Sequence, residues 1–224
     1  MRFAIAAVCV LLVTGCVSTK TAQIDNEKAA ALRGKVVALT DRPRAGFVAM
    51  TPGKAMFAMI GAAAMIEAGR EIVKENDIPD PAPLVDQALL LAAQKHYGAV
   101  PATTAPVQID TTDVIKLADA AKGADVLFDV QGVAAQFRYL PMKFGRYVVD
   151  SSYKFRIIDV HSRKLIAEGF CFQSTKDDPA PPTHDELLAD KAARLKSILN
   201  SQREQCTNQF ASQVLSLPVL PTAT

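Results

Sequence analysis

Tryptophan is absent from this 224-residue chain, and phenylalanine and tyrosine together make only 6% of it. A carbohydrate-binding cleft usually offers aromatic platforms, so that reading is weakened. Neither sign of charge dominates, with 25 basic residues facing 23 acidic ones. Nucleic-acid binders carry a basic excess, and nucleic acid is set aside as a partner. His96, His161 and His184 lie far apart with no ligand spacing, and no CxxC pair occurs. Neither a metal nor a redox centre is expected, and no cofactor is implied. The nucleophile elbow GxSxG, the phosphate loop, GxGxxG and HExxH are all missing. The two longest apolar stretches, at 3–13 and 55–66, are too short to cross a bilayer, which takes roughly 20 residues. No repeat recurs at a fixed period.

What is present begins at the N-terminus. Met1-Arg2 is a positive start, and Phe3 to Val13 is an uncharged apolar run. That length suits the h-region of an export signal. Val13-Thr14-Gly15-Cys16 follows: an aliphatic residue, two small residues that let a peptidase approach the backbone, and a thiol that can accept a lipid.

This segment resembles the lipobox of bacterial lipoproteins. The resemblance implies cleavage before Cys16 and fatty-acyl chains (palmitate) on that residue. One chain binds membranes only marginally, so stable anchoring takes two or more. Val17 occupies the position where an Asp would favour the inner membrane. The resemblance therefore implies the outer membrane, facing the periplasm. The parts expected are a signal at 1–15, a lipidated tether at 16–33, one domain at 34–217 and a tail at 218–224. Losing Arg2 with the signal leaves 24 basic against 23 acidic residues.

Cys9 leaves with the signal, which makes Cys171 and Cys206 an even pair in an oxidising compartment. A disulfide between them is expected; two buried free thiols are the alternative.

The fold expected is mixed α/β of the α+β class: a four- or five-stranded sheet with an antiparallel meander, covered by helices. Lys35–Thr40 reads as a strand, and Phe47–Met50 extends it or pairs back. Ala55–Lys74 reads as a helix whose first half, apolar all round, implies deep burial. Its small residues allow close packing; a membrane-inserting or oligomerising helix is the alternative. Pro79, Pro81 and Pro83 break the chain before a second helix, Leu84–His96, with Leu84, Ala88, Leu91 and Ala92 on one face. Gly98 caps it. Val107–Asp110 is a short strand and Asp113–Ala121 a short helix. Strands follow at 124–133, 137–149, 153–160 and 165–173. Thr183 and Glu186 form a capping box opening a long C-terminal helix.

Gly123-Ala124-Asp125-Val126, followed by the hairpin IIDVHSRKLIAEG at 157–169, resembles periplasmic α/β lipoproteins of the curli-secretion and penicillin-binding-protein-activator type. The likeness covers residues 35–217 in outline and carries no functional residue across. The apolar helix at 55–66 and the prolines at 79–83 depart from it.

One stretch interleaves aromatics with cations: Arg138, Tyr139, Lys143, Arg146 and Tyr147, with Pro141 and Gly145 marking a bend. It is the candidate binding surface, suited to an anionic partner, while a solvated sheet face with its aromatics turned inward is the plainer reading. Lys154 and Arg156 would share that face. No catalytic residue is assigned. Asp177-Asp178 sit in a proline-rich loop, and Asp125, Asp129 and Asp159 read as turn and solvent-face residues. The function expected is a non-enzymatic interaction or assembly module of the cell envelope, membrane-held, with an envelope protein or its own copies as partner. The alternative is a cell-wall enzyme with carboxylates or His converging in a pocket.

Overall fold

The computed structural model describes residues 32–51, 58–218 and 220. The signal, the lipobox and the tether up to residue 31 lie outside them. Strands β1 (Val36–Asp41) and β2 (Phe47–Met50) come first, then helices α1 (Ala58–Glu75) and α2 (Ala82–Tyr97). Two short strands, β3 (Val100–Pro101) and β4 (Val107–Gln108), precede helix α3 (Val114–Ala120). Three long strands follow, β5 (Val126–Tyr139), β6 (Tyr147–Asp159) and β7 (Lys164–Ser174), and helix α4 (His184–Gln213) ends the fold.

Among the described residues the sheet is mixed and has seven strands, ordered β3-β1-β5-β6-β7, with β4 also on β1 and β2 also on β5. β5, β6 and β7 form the antiparallel meander. β1 and β2 lie in tandem along one edge of β5, both parallel to it: Val37–Leu39 faces Val126–Phe128, and Phe47–Met50 faces Ala135–Arg138.

Two strands stand where three were expected over residues 124–160. β5 runs through residues 134–136 past an irregularity between Gly132 and Ala134. β6 runs through Asp150, Ser151 and Ser152, which read as a break yet are buried. The expected strand 137–149 instead contains the bend, at 140–146.

Among the described residues, three apolar clusters hold the layers together. β5 alternates between two of them. Val126, Phe128 and Val130 pack with Val85 and Leu89 of α2 and with Phe210 of α4, while Leu127 packs on the other face with Leu117 of α3 and Ile158. A third cluster joins Phe47, Phe137, Tyr147, Val149, Leu187, Leu195 and Leu199, with Ala68, Ile72 and Val73 of α1 against it. Both faces of β5 are therefore covered.

Two helices differ from expectation in what they bury. α2 turns Val85, Leu89 and Ala92 inward and leaves Leu84 and Leu91 exposed. The sequence carries two apolar stripes a residue apart, and the inner one is the stripe that meets β5. In α1, Ala63, Ala64 and Ile66 are exposed, so deep burial of the apolar half does not hold at these positions. Its closest contact comes later: a Cβ on Gly69 would lie 1.7 Å from the Phe47 carbonyl oxygen.

Thr183 and Glu186 form the capping box. The Thr183 hydroxyl accepts from the Glu186 N–H at 3.2 Å, and the Glu186 carboxylate accepts from the Thr183 N–H at 2.8 Å. α4 is not continuous. Ala189 is extended and Asp190, Lys191 and Ala192 are left-handed, with φ of 51°, 57° and 56°. Leu187, before this kink, is buried in the same cluster as Leu195 and Leu199 beyond it. Beyond it, Cys206 is bonded to Cys171 of β7 with a Cα–Cα distance of 5.5 Å, and both are fully buried.

Candidate functional site

The bend between β5 and β6 is tightly built. Leu140 N–H donates to the Arg146 carbonyl at 2.9 Å, and Lys143 and Arg146 N–H groups close inner turns at 3.1 Å. Gly145 takes a φ of 70°, a conformation that costs a side-chain-bearing residue. The turn drives Met142 and Phe144 into solvent, at 94% and 90% exposure. Lys143 stands between them, also exposed.

The other four residues of the expected binding surface are engaged within the fold. Arg138 donates from Nε to Asp150 at 2.8 Å. Arg146 donates to the Pro181 carbonyl at 3.1 Å and reaches Glu186 at 3.5 Å. Tyr147 is buried, edge-on to Phe137 at 5.5 Å and to Tyr139 at 5.8 Å. Tyr139 is half-buried. Lys143 is thus the free cation of the five, and its apolar neighbours Met142 and Phe144 dominate the protrusion. An apolar residue on each side of a charged one, inside a Pro-to-Gly bend, was the sequence signal for it.

The largest departure concerns Asp129 and Arg156. Both were expected on solvated faces, and both are buried. Asp129 is clasped from two sides: Arg42 Nε donates to Oδ1 at 2.6 Å and Arg156 Nε to Oδ2 at 2.8 Å. The Thr40 hydroxyl adds a bond at 3.0 Å, and Arg156 also donates to the Thr112 carbonyl at 2.8 Å. Nearby, the Asp86 carboxylate accepts from the Val130 N–H at 3.4 Å. Burial, reinforced by the charge of Asp129, pushes the Asp86 carboxyl well above its ordinary value. The arrangement is an ionic staple through the sheet, linking β1, β5 and β6. A carboxylate inside the apolar run Val126-Leu127-Phe128-Asp129-Val130 was its signature, because such a group is rarely buried unless paired. Lys154 shares the face of Arg156, as alternation along β6 requires, but it is half-exposed and pairs with Glu168 at 2.9 Å.

The remaining acidic candidates have structural bonds. Asp125 accepts from the Val36 N–H at 2.9 Å and lies 3.0 Å from His161 Nε2. The His161 bond, then the Val36 bond, hold its carboxyl below the usual value. Asp159 accepts from the Ser162 N–H at 2.7 Å, closing the β6–β7 turn. Asp178 accepts from the Ala180 N–H at 2.9 Å, and Asp177 is exposed. Asp125, His161 and Asp159 therefore gather at one turn, whereas Asp129 is elsewhere in the core. Among the described residues, no group of three or more His, Cys, Asp or Glu side chains is placed to hold a metal.

A shallow groove of about 370 Å³ runs between α2 and the C-terminal segment, lined by Ala88, Leu91, Ala92, Lys95, His96, Pro218 and Leu220. Its described walls are mainly apolar, and no carboxylate is among the described residues that line it. No described helix is long and apolar enough to cross a membrane.

No family profile matches the sequence, and no curated protein does. Solved structures with a similar arrangement include a lipoprotein of Neisseria meningitidis (16% identity, TM-score 0.29, covering 79% of this chain and 98% of that one). A hypothetical protein of Chlamydia trachomatis has 9% identity and a TM-score of 0.34, over 81% of this chain and 98% of its own. The C-terminal domain of LpoB from Salmonella enterica has 11% identity and a TM-score of 0.24, over 63% and 83%. At these values the likeness assigns neither a family nor an activity to the chain.

Proposed function

We propose that this chain is a lipid-anchored lipoprotein of the bacterial envelope, and that its folded domain is a non-enzymatic interaction or assembly module. The anchor rests on Cys16 and the signal-like run before it. The module reading rests on one observation: rigid backbone carries large apolar side chains into solvent, while the carboxylates weighed for chemistry are mostly tied into turns and ion pairs. On α2, Leu84, Ala88 and Leu91 form a second apolar stripe beside the groove closed by Pro218 and Leu220. Exposed apolar area of this kind marks contact surfaces. The outer membrane, facing the periplasm, is the location that fits Val17 after the lipidated residue.

Two measurements test the reading. Intact mass of the membrane fraction should show acyl chains at Cys16, and Cys16→Ala should abolish them. A photo-crosslinking residue at Leu91, in living cells, should give one discrete adduct that is absent when the same group is placed at Asp177, exposed in the loop after β7. Adducts equally spread over both positions, with the protein otherwise recovered alone and monomeric, would count against an interaction module.

A further inference from the structure

We infer that the β5–β6 turn is a membrane-contacting wedge: Met142 and Phe144 enter the interfacial region of a bilayer, and Lys143 meets lipid phosphate. The inference adds a second contact to the anchor proposed above and rests on that reading only for the supply of a nearby membrane.

The shape of the turn is the first support. Met142 and Phe144 project rather than line a recess, and they are almost wholly exposed. The turn is hydrogen-bonded internally, so the exposure is built in and does not come from a loose loop. A projecting apolar pair suits a fluid medium that closes around it. Charge is the second support. Between Leu140 and Gly145 the only ionisable side chain is Lys143. A cation flanked by apolar groups is the pattern of interfacial segments, whose apolar side sinks to the headgroup boundary while the cation stays with phosphate.

The third support is what lies beside the turn. Arg44, before β2, donates to the Ile78 carbonyl at 2.6 Å, and Gly69 abuts Phe47. α1 therefore runs antiparallel to β2, and its earlier residues point toward the end of β5 that carries the turn. Ile66, with Ala63 and Ala64, is exposed on that side of Gly69. The exposed apolar residues of α1 thus lie on the half of β5 nearer the turn, level with β2.

Chain length permits the contact. β1 begins level with the first residues of β5. The end of β5 that carries the turn is thus about 43 Å away along the thirteen steps of that strand, with the turn just beyond it. Residues 16–31 can span at most about 55 Å. A domain lying along the bilayer brings both ends to it with no demand on the tether. The anchor would also hold the wedge at high local concentration, so weak insertion suffices.

The chain has no tryptophan, so Phe144→Trp introduces a lone reporter. The test uses the full protein purified from membranes in detergent and reconstituted into vesicles of phosphatidylethanolamine and phosphatidylglycerol. The expected result is blue-shifted emission, quenched at least twofold more by brominated lipid than that of a Phe172→Trp control on β7. Protein that co-sediments through its anchor but keeps a water-exposed spectrum at 144 would overturn the wedge and leave the anchor standing. That outcome would also result if the turn serves a protein partner. Unacylated protein whose reporter is nevertheless quenched would support the wedge and remove the anchor. Protein that neither binds vesicles nor shows quenching would overturn both. Phe144→Asp should abolish any vesicle binding that depends on the wedge, with circular dichroism unchanged.

Discussion

Replacing Asp129 by Ala tests the ionic staple most directly. The carboxylate is 1% exposed, and the side chains of Arg42 and Arg156 are 3% and 4% exposed. Removing the anion leaves two guanidinium groups in the core without their counter-charge, and the Thr40 hydroxyl loses its acceptor. Breaking a buried pair by deleting one partner costs about 3–5 kcal/mol. For a domain of this size each kcal/mol lowers the melting temperature by about 2–4 °C, so Asp129→Ala should melt about 10 °C below the parent. The assay is urea and thermal unfolding of a chain begun at Val17 and exported without lipidation. The triple variant Arg42→Met, Asp129→Leu, Arg156→Met supplies the control, because replacing a whole buried ionic group with apolar residues is often neutral or stabilising. It should recover most of the loss. A single variant within about 1 kcal/mol of the parent would place the cluster in the range of solvent-screened pairs and refute the reasoning. So would a triple variant that is worse than the single one.

Three further outcomes follow from the packing. Cys171→Ser with Cys206→Ser opens a loop with a sequence separation of 35. The loop-entropy relation gives a loss of about 4 kcal/mol, to be read as a matching fall in stability on adding reductant to the parent alone. Gly69→Ala should cost about 3 kcal/mol or more, because its Cβ would meet the Phe47 carbonyl oxygen and push α1 off β2; hydrogen exchange should rise first in residues 63–75. Burial raises the Asp86 carboxyl well above its value of 3.8 in the unfolded chain, so the native state binds this proton more tightly. Stability from this group is then full below that value and falls as pH rises through the native one. Asp86→Asn should gain relative to the parent as pH climbs from 3.8 through the raised native value. A pH-independent offset between the two would contradict the assignment.

Much of the fold could be read from residue order alone. β1, α3, the Gly98 cap and the Thr183–Glu186 box all depend on local chemistry, and local chemistry is written in neighbouring residues; the Cys171–Cys206 pair, 35 residues apart, was legible from the count of cysteines instead. What escaped depended on partners distant in sequence. The alternation of Val126, Phe128 and Val130 gives one buried face, but nothing nearby says that α3 covers the other face over Leu127. Asp129 therefore looked solvent-facing. The polar run Asp150-Ser151-Ser152 resembles a turn until Arg138 and Ser174 are placed against Asp150. The two stripes of α2 are equally apolar, and only the register against β5 chooses between them. The kink at 189–192 has no marker at all, since its residues are neither Gly nor Asn. The candidate surface was found at the right bend but with the emphasis reversed: cations were singled out, whereas Met142 and Phe144 are what the turn displays.

The tandem seating of β1 has a mechanical consequence. If a tether pulls on this domain, the load passes buried Leu32 and Gly34, whose N–H is bonded to the Tyr97 carbonyl, and then reaches β1. β1 is hydrogen-bonded to β5 on one side and to β3 and β4 on the other. A pull along its axis therefore strains all those ladders in shear at once, and no single bond can open ahead of the rest. Asp129 joins Arg42 just beyond the end of β1 to the interior strands, acting as a cross-pin against sliding. Resistance to such a pull is a matter of unfolding rate rather than equilibrium stability. A domain tied to a membrane that is stretched and sheared would then keep its hold by the direction in which its first strand is loaded.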